Sequence, residues 1–234
     1  MRTRSALWLV SAALLMVGAA LQTAALAIFW RPCAGSMLSG SVLQGYRFGR
    51  SFSDGCLEAM DVPMIFPLPS PGRGLDEVIA FGAPAAIVLA LAWLVLVPAL
   101  PVEGVGRIVA ALPGVVAIAF VVADATGLLP AGSAATIILG LALEASVLAG
   151  VIALCMAPTG LPDETGAGIV VLLAATTQIG MVHAIVVMAL AAMVSQANWD
   201  VPPGAGYLGV GFSLLAAVVA VWFWWRLRRE ERAA

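Results

Sequence analysis

Long apolar runs broken by short polar stretches make up most of this chain. The runs long enough to cross a bilayer are Ala6–Trp30, Val78–Leu100, Ile108–Gly127, Ala134–Met156, Ile169–Val194 and Gly206–Trp225. A helix rises about 1.5 Å per residue, so about 20 apolar residues cover a hydrocarbon core about 30 Å thick. Lipid offers backbone groups no hydrogen-bond partners, so each run is predicted to close its own bonds as a helix. The breaks Pro101–Arg107, Leu128–Ser133, Ala157–Gly168 and Ser195–Ala205 are short, which makes successive helices antiparallel neighbours. Pro98 and Pro101 close the second span, and Pro84 and Pro113 inside the second and third predict kinks. No convincing repeat relates the first three spans to the last three, which weighs against an inverted-repeat transporter.

The exception to the pattern is residues 31–77, which carry Arg31, Arg47, Arg50, Asp54, Glu58, Asp61, Arg73, Asp76 and Glu77 among glycine, serine and proline. Within this loop, Pro67–Gly72 should be extended and then turn. Ser53–Met60 fits a short helix with Ser53 as its N-cap. Ala25-Leu26-Ala27, before the loop, resembles a signal-peptidase site. The apolar run there exceeds the about 7–15 residues of a signal h-region, which favours an uncleaved first span.

Composition sharpens the class. The chain is 62% hydrophobic and 10% charged, with a mean hydropathy of +1.07. A soluble domain is about 45–50% apolar and about 25% charged. The predicted fold is therefore all-α, a polytopic bundle of six transmembrane helices in one domain spanning residues 1–234.

Charge adds an orientation. With N and C termini cytoplasmic, the inner segments hold Arg2, Arg4, Arg107, Arg226, Arg228, Arg229 and Arg232. The outer side holds Arg31, Arg47, Arg50 and Arg73, all in the one long extracytoplasmic loop, where arginines count for less. Trp8, Trp222, Trp224 and Trp225 then fall near the inner interface, and Trp30, Trp199 and Tyr207 near the outer one. The expected location is the cell (plasma) membrane, with the lipid bilayer as the main partner. No basic face is interleaved with aromatics, so nucleic acid is not an expected partner. The arginine-rich tail after Trp225 reads first as a stop-transfer anchor against anionic headgroups.

Candidate chemistry is sparse. Glu144 and His183 lie near the middles of adjacent spans, at depths that agree within about a helical turn. An ionisable residue at mid-bilayer costs about 2.5–3.5 kcal/mol on insertion scales and normally turns inward to a partner. Thr177 and Gln178 lie at similar depth. Thr176, Gly180 and His183 share one helix face, as do Gly140, Glu144, Val147 and Val151. This arrangement reads as a polar clamp between two helices, or as a buried proton site of a transporter.

Cys33 and Cys56 fall in the outer loop, where two cysteines predict a disulfide. Cys155, at the end of a span, reads as a small buried hydrophobe. A sharper alternative takes Cys33, Met37, Cys56, Met60 and Met64 as soft ligands for Cu(I). Asp124 with Thr126 and Gly127 reads as a helix exit at the membrane edge, and Asp163, Glu164 and Thr165 as a helix start. Gly204, Gly206, Gly209 and Gly211 read as a packing face.

Hydrolytic chemistry has little support. Ser133 and Ser146 lack a glycine-flanked nucleophile motif, and metalloprotease, Walker and dinucleotide patterns are absent. The sequence thus predicts a non-enzymatic accessory or assembly subunit without a cofactor. It would engage a protein partner through its outer loop, or pair with a second copy. The alternatives are a small permease or proton-linked transporter using Glu144 and His183, and an extracytoplasmic copper-binding membrane protein.

Overall fold

The computed structural model describes residues 2–36, 52–60, 64–65, 68–69, 76–129, 133–156, 163–176, 203–204 and 206–233. The helices are α1 (Arg2–Phe29), α2 (Asp54–Met60), α3 (Asp76–Leu96), α4 (Val105–Ala125), α5 (Ala134–Cys155), α6 (Asp163–Thr176) and α7 (Tyr207–Ala233). Five of them, all but α2 and α6, are long and apolar enough to cross a membrane. The predicted span Ile169–Val194 is seen only in its first part, as α6; residues 177–194 lie outside the described residues.

Local chemistry sets the helix ends. After α3 the chain tightens into a 3-10 turn, Val97–Ala99, with Pro98 in its first turn, because proline cannot continue the α-helical ladder. α4 is ended by Gly127 with φ 73°, where Gly127 N–H donates to Asp124 O and Leu128 N–H to Ala123 O. That pair caps the last carbonyls in a Schellman turn, for which the sequence signal was Thr126-Gly127. Ser133 caps α5, accepting from the Thr136 amide at 3.2 Å. Pro84 and Pro113 are both carried inside continuous helices.

The helices pack antiparallel. Ser11 Oγ of α1 donates to Ala92 O of α3 at 2.9 Å, and Trp93 Nε1 of α3 donates to Ala110 O of α4 at 2.7 Å. Trp8 of α1 meets Phe223 of α7 with ring centroids 4.6 Å apart. Lipid tails are as apolar as leucine, so close packing and interhelical hydrogen bonds hold such helices together. Small residues make the approach possible. A Cβ on Gly114 of α4 would fall 2.7 Å from Leu94 Cγ and 3.1 Å from the Ala90 carbonyl. A Cβ on Gly150 of α5 would fall 3.2 Å from the ring of Pro113.

Three buried clusters result. One joins Trp8, Leu15, Leu89, Trp93, Leu154, Leu172 and Phe223 at the end of the bundle where α1 starts and α7 finishes. A second joins Phe29, Trp30, Cys33, Cys56, Met60, Val78 and Val210 at the opposite end. A third joins Ala86, Ala90, Phe120, Val121 and Leu143 among α3, α4 and α5.

Four expectations need correction. Trp8 and Trp30 do sit toward the ends, but both are buried in clusters and do not face headgroups. Cys155 is exposed, because α5 lies at the margin of the bundle and its last turn has few neighbours. Gly204 and Gly206 lie in the turn that starts α7 and not on the helix itself; they take φ 92° and 95°, a backbone that glycine adopts without strain, and Gly206 is buried. Gly211 is exposed with nothing near its Cβ position among the described residues, which leaves Gly206 and Gly209 as the buried members.

Candidate functional site

Two places merit attention as sites. The first is the end of the bundle that follows α1. The chain leaves α1 at Phe29-Trp30 and turns through a 3-10 segment, Arg31–Ser36. Cys33 N–H donates to Trp30 O at 2.9 Å, which closes the turn. α2 then lies against this segment. Ser53 caps α2 as its position predicts: its Oγ accepts from the Cys56 amide at 3.3 Å and donates to Pro32 O at 3.2 Å. The Cys33 and Cys56 sulfurs are at disulfide distance, 1.94 Å, with Cα atoms 4.8 Å apart.

This cap is welded to the membrane helices. Cys33 and Cys56 are each 1% exposed and share a cluster with Phe29, Trp30, Met60, Val78 of α3 and Val210 of α7. Phe29 and Trp30 meet edge to face at 4.8 Å. The outward side of α2 differs: Asp54, Leu57 and Glu58 are exposed. Met64–Ile65 and Leu68–Pro69 pair as a two-residue antiparallel ladder, which agrees with the extended chain expected near Leu68.

Of the soft-metal set, Cys33 and Cys56 are at disulfide distance from one another. Sulfurs joined to one another are not thiolates, and the thiolate is the metal ligand. Met60 is buried beside the cysteines, whereas Met37 lies outside the described residues. Among the described residues no group of three or more His, Cys, Asp or Glu could hold a metal ion.

The second place is the middle of α5. Leu143, Ser146, Gly150 and Leu154 are buried; Ile137, Leu141, Leu148 and Ile152 are exposed. Gly140, Glu144, Val147 and Val151 form the half-buried stripe between these faces, as their spacing predicts. Val147 and Val151 of this stripe pack on the buried cluster that contains Leu154 of α5, Ala110 of α4 and Leu172 and Leu173 of α6. Among the described residues nothing lies within 4 Å of the Cβ position of Gly140. His183, Gln178 and Thr177 lie outside the described residues.

Ser133 and Ser146 have local hydrogen-bonding roles. Ser133 is a helix cap, and Ser146 Oγ donates to Leu143 O at 2.7 Å within its own helix. Thr176 likewise returns its hydroxyl to Leu172 O at 2.7 Å. Sequence reasoning missed Ser11 and Trp93 as interhelical donors, since nothing in an apolar run marks which face will meet a neighbour.

Five spanning helices around buried clusters, with a cysteine-linked cap at one end, fit a multi-pass membrane protein. Comparison with known protein families, with characterised proteins and with solved structures returns no match.

Proposed function

We infer that this is a non-enzymatic accessory or assembly subunit of the cell membrane, which engages a protein partner through its disulfide-pinned outer loop. The observation that carries the reading is the cap itself. Its inner side is fixed to α1, α3 and α7 through Cys33, Cys56, Met60 and Val78. Its outer side presents Leu57, 44% exposed, between Asp54 and Glu58 on a short rigid helix. A rigid, anchored element with an exposed apolar residue between charges is a suitable docking surface, because little freedom is lost on binding.

Two arguments support the topology behind this reading. α5 ends beside the Trp8–Phe223 cluster, while α7 starts beside the disulfide cluster. These opposite ends are what a sixth crossing between α5 and α7 would require, and they support a reading with both termini on one side. The arginines at the terminal end and the disulfide at the other then agree: basic segments stay inside, and disulfides persist outside.

The test is co-purification in mild detergent after cross-linking on intact cells. Leu57→Arg should abolish capture of the partner while leaving the melting midpoint of the purified protein unchanged. Full capture by the variant would exclude α2 as the docking element.

A second reading rests on Glu144, a half-buried carboxylate near the middle of α5. In this reading Glu144 and His183 form the proton site of a small permease. Glu144→Gln should then abolish pH-driven uptake in vesicles without loss of assembly. Loss of assembly with no change in pH dependence would instead assign Glu144 to a helix clamp.

A further inference from the structure

The Ala25-Leu26-Ala27 motif has no part in the docking role of α2, yet its place in the fold is specific. α1 runs unbroken from Arg2 to Phe29, so the motif lies in its last turns. Ala25 and Leu26 are each 1% exposed and share a cluster with Cys33, Cys56, Val78 of α3 and Val210 of α7. Leu26 O accepts from Trp30 N–H at 2.9 Å. Ala27 is exposed, and Ile28 packs against the cluster.

The rest of α1 is docked as firmly. Leu15 and Gln22 are each 0% exposed. A Cβ on Gly18 would fall 2.6 Å from Leu89 Cδ2 of α3, and Trp8 meets Phe223 of α7 at the far end. α1 is thus held against α3 and α7 along its length. Its final turns cannot unwind while Ala25 and Leu26 are clamped in the cluster.

An undocked α1 behaves differently. The last carbonyls of a helix have no partner within the helix, and at a membrane boundary water supplies one, so a free end frays. Unwinding past Ala25 presents small residues at the first and third positions before the Ala27–Ile28 bond, the pattern that a signal peptidase reads. Proteolysis of an opened state follows the population of that state.

We propose that Ala25-Leu26-Ala27 is a conditional cleavage site, closed by the docking of α1 on α3 and α7 and open to an extracytoplasmic signal peptidase in chains whose bundle has not formed. Water is the co-reactant. It adds across the Ala27–Ile28 peptide bond, leaving a carboxylate on Ala27 and an amine on Ile28. The assembled protein keeps α1. In a misassembled chain the cut removes the helix on which α3 and α7 both pack, and so commits that chain to loss. The proposal rests on the topology reading, with the cap end outside, and is independent of the docking role of α2.

The experiment follows the full chain, tagged at its C-terminus, in cells, and reads the first residue of each purified species by mass spectrometry. The unsubstituted protein should keep residues 2–27. Gly18→Leu, which drives a side chain into the space of Leu89, and Trp93→Ala, on α3, should each raise the fraction that starts at Ile28 about tenfold, as an open state responds to overpacking or a void. Ala27→Leu, at an exposed position, should abolish that species in both backgrounds and should by itself leave the melting midpoint unchanged. Thr126→Cys, in the turn after α4 at the cap end, should take a membrane-impermeant maleimide on intact cells. Labelling of Thr126→Cys with no Ile28 species from either destabilised variant would overturn the cleavage site alone. Failure to label would overturn it together with the topology. An Ile28 start in most of the unsubstituted protein, or a product that survives Ala27→Leu, would overturn it as well.

Discussion

Trp93→Ala is expected to destabilise the protein by about 3–5 kcal/mol, the range for emptying a large buried aromatic site. Trp93 is 0% exposed, and its indole N–H donates to Ala110 O at 2.7 Å. It belongs to the cluster that joins α1, α3, α4, α6 and α7, so its loss opens a void where several helices meet. Lipid cannot enter a side-chain-sized void, so the lining atoms lose their dispersion contacts outright. Trp93→Phe separates the two contributions. It keeps most of the volume and removes the interhelical hydrogen bond, which is worth about 0.6–2 kcal/mol in a membrane. Trp225→Ala, on the exposed face, should shift stability by no more than about 0.5 kcal/mol. Unfolding followed by circular dichroism in a single detergent checks all three. Equal midpoints for Trp93→Ala and Trp225→Ala would contradict the packing of α3 against α4.

Cys33→Ala/Cys56→Ala is expected to cost about 3 kcal/mol, the entropy released to the unfolded chain when a loop of this length opens. The sequence separation is 23, and both residues lie in the cluster that anchors the cap. Alanine is the informative replacement, because a serine hydroxyl there would be buried and would add its own desolvation cost. The protein should lose the same stability on reduction, and the double variant should be indifferent to reductant. Partner capture through α2 should fall in parallel, since the bond holds α2 against the segment that follows α1. Thermal unfolding with and without reductant gives the answer. A reductant-insensitive midpoint in the unsubstituted protein would mean that the apolar cluster alone holds the cap.

Much of the cap was legible before any coordinates. Ser53 as N-cap and the pairing of Cys33 with Cys56 each rest on one or two residues whose chemistry has few other uses in such a loop. The burial of Trp8 and Trp30 was not legible. An indole near a membrane boundary is equally at home facing lipid or facing Phe223, and only the neighbouring helix decides. The four glycines before and within α7 illustrate the same limit. Spacing suggested a face, whereas backbone torsions assigned two of them to a turn.

Taken alone, the amino-acid order determined that the long apolar stretches, where described, are helical and that five of the helices are long and apolar enough to cross a membrane. Those properties follow from hydrogen-bond satisfaction in a medium without donors, which depends on local composition only. Which helices touch, and through which residues, was decided by the tertiary structure. Ser11 reaching Ala92, Gly114 admitting Leu94 and Trp93 reaching Ala110 are matters of shape. In lipid every face of an apolar helix is equally soluble, so hydrophobicity leaves the faces unmarked and close packing selects among them.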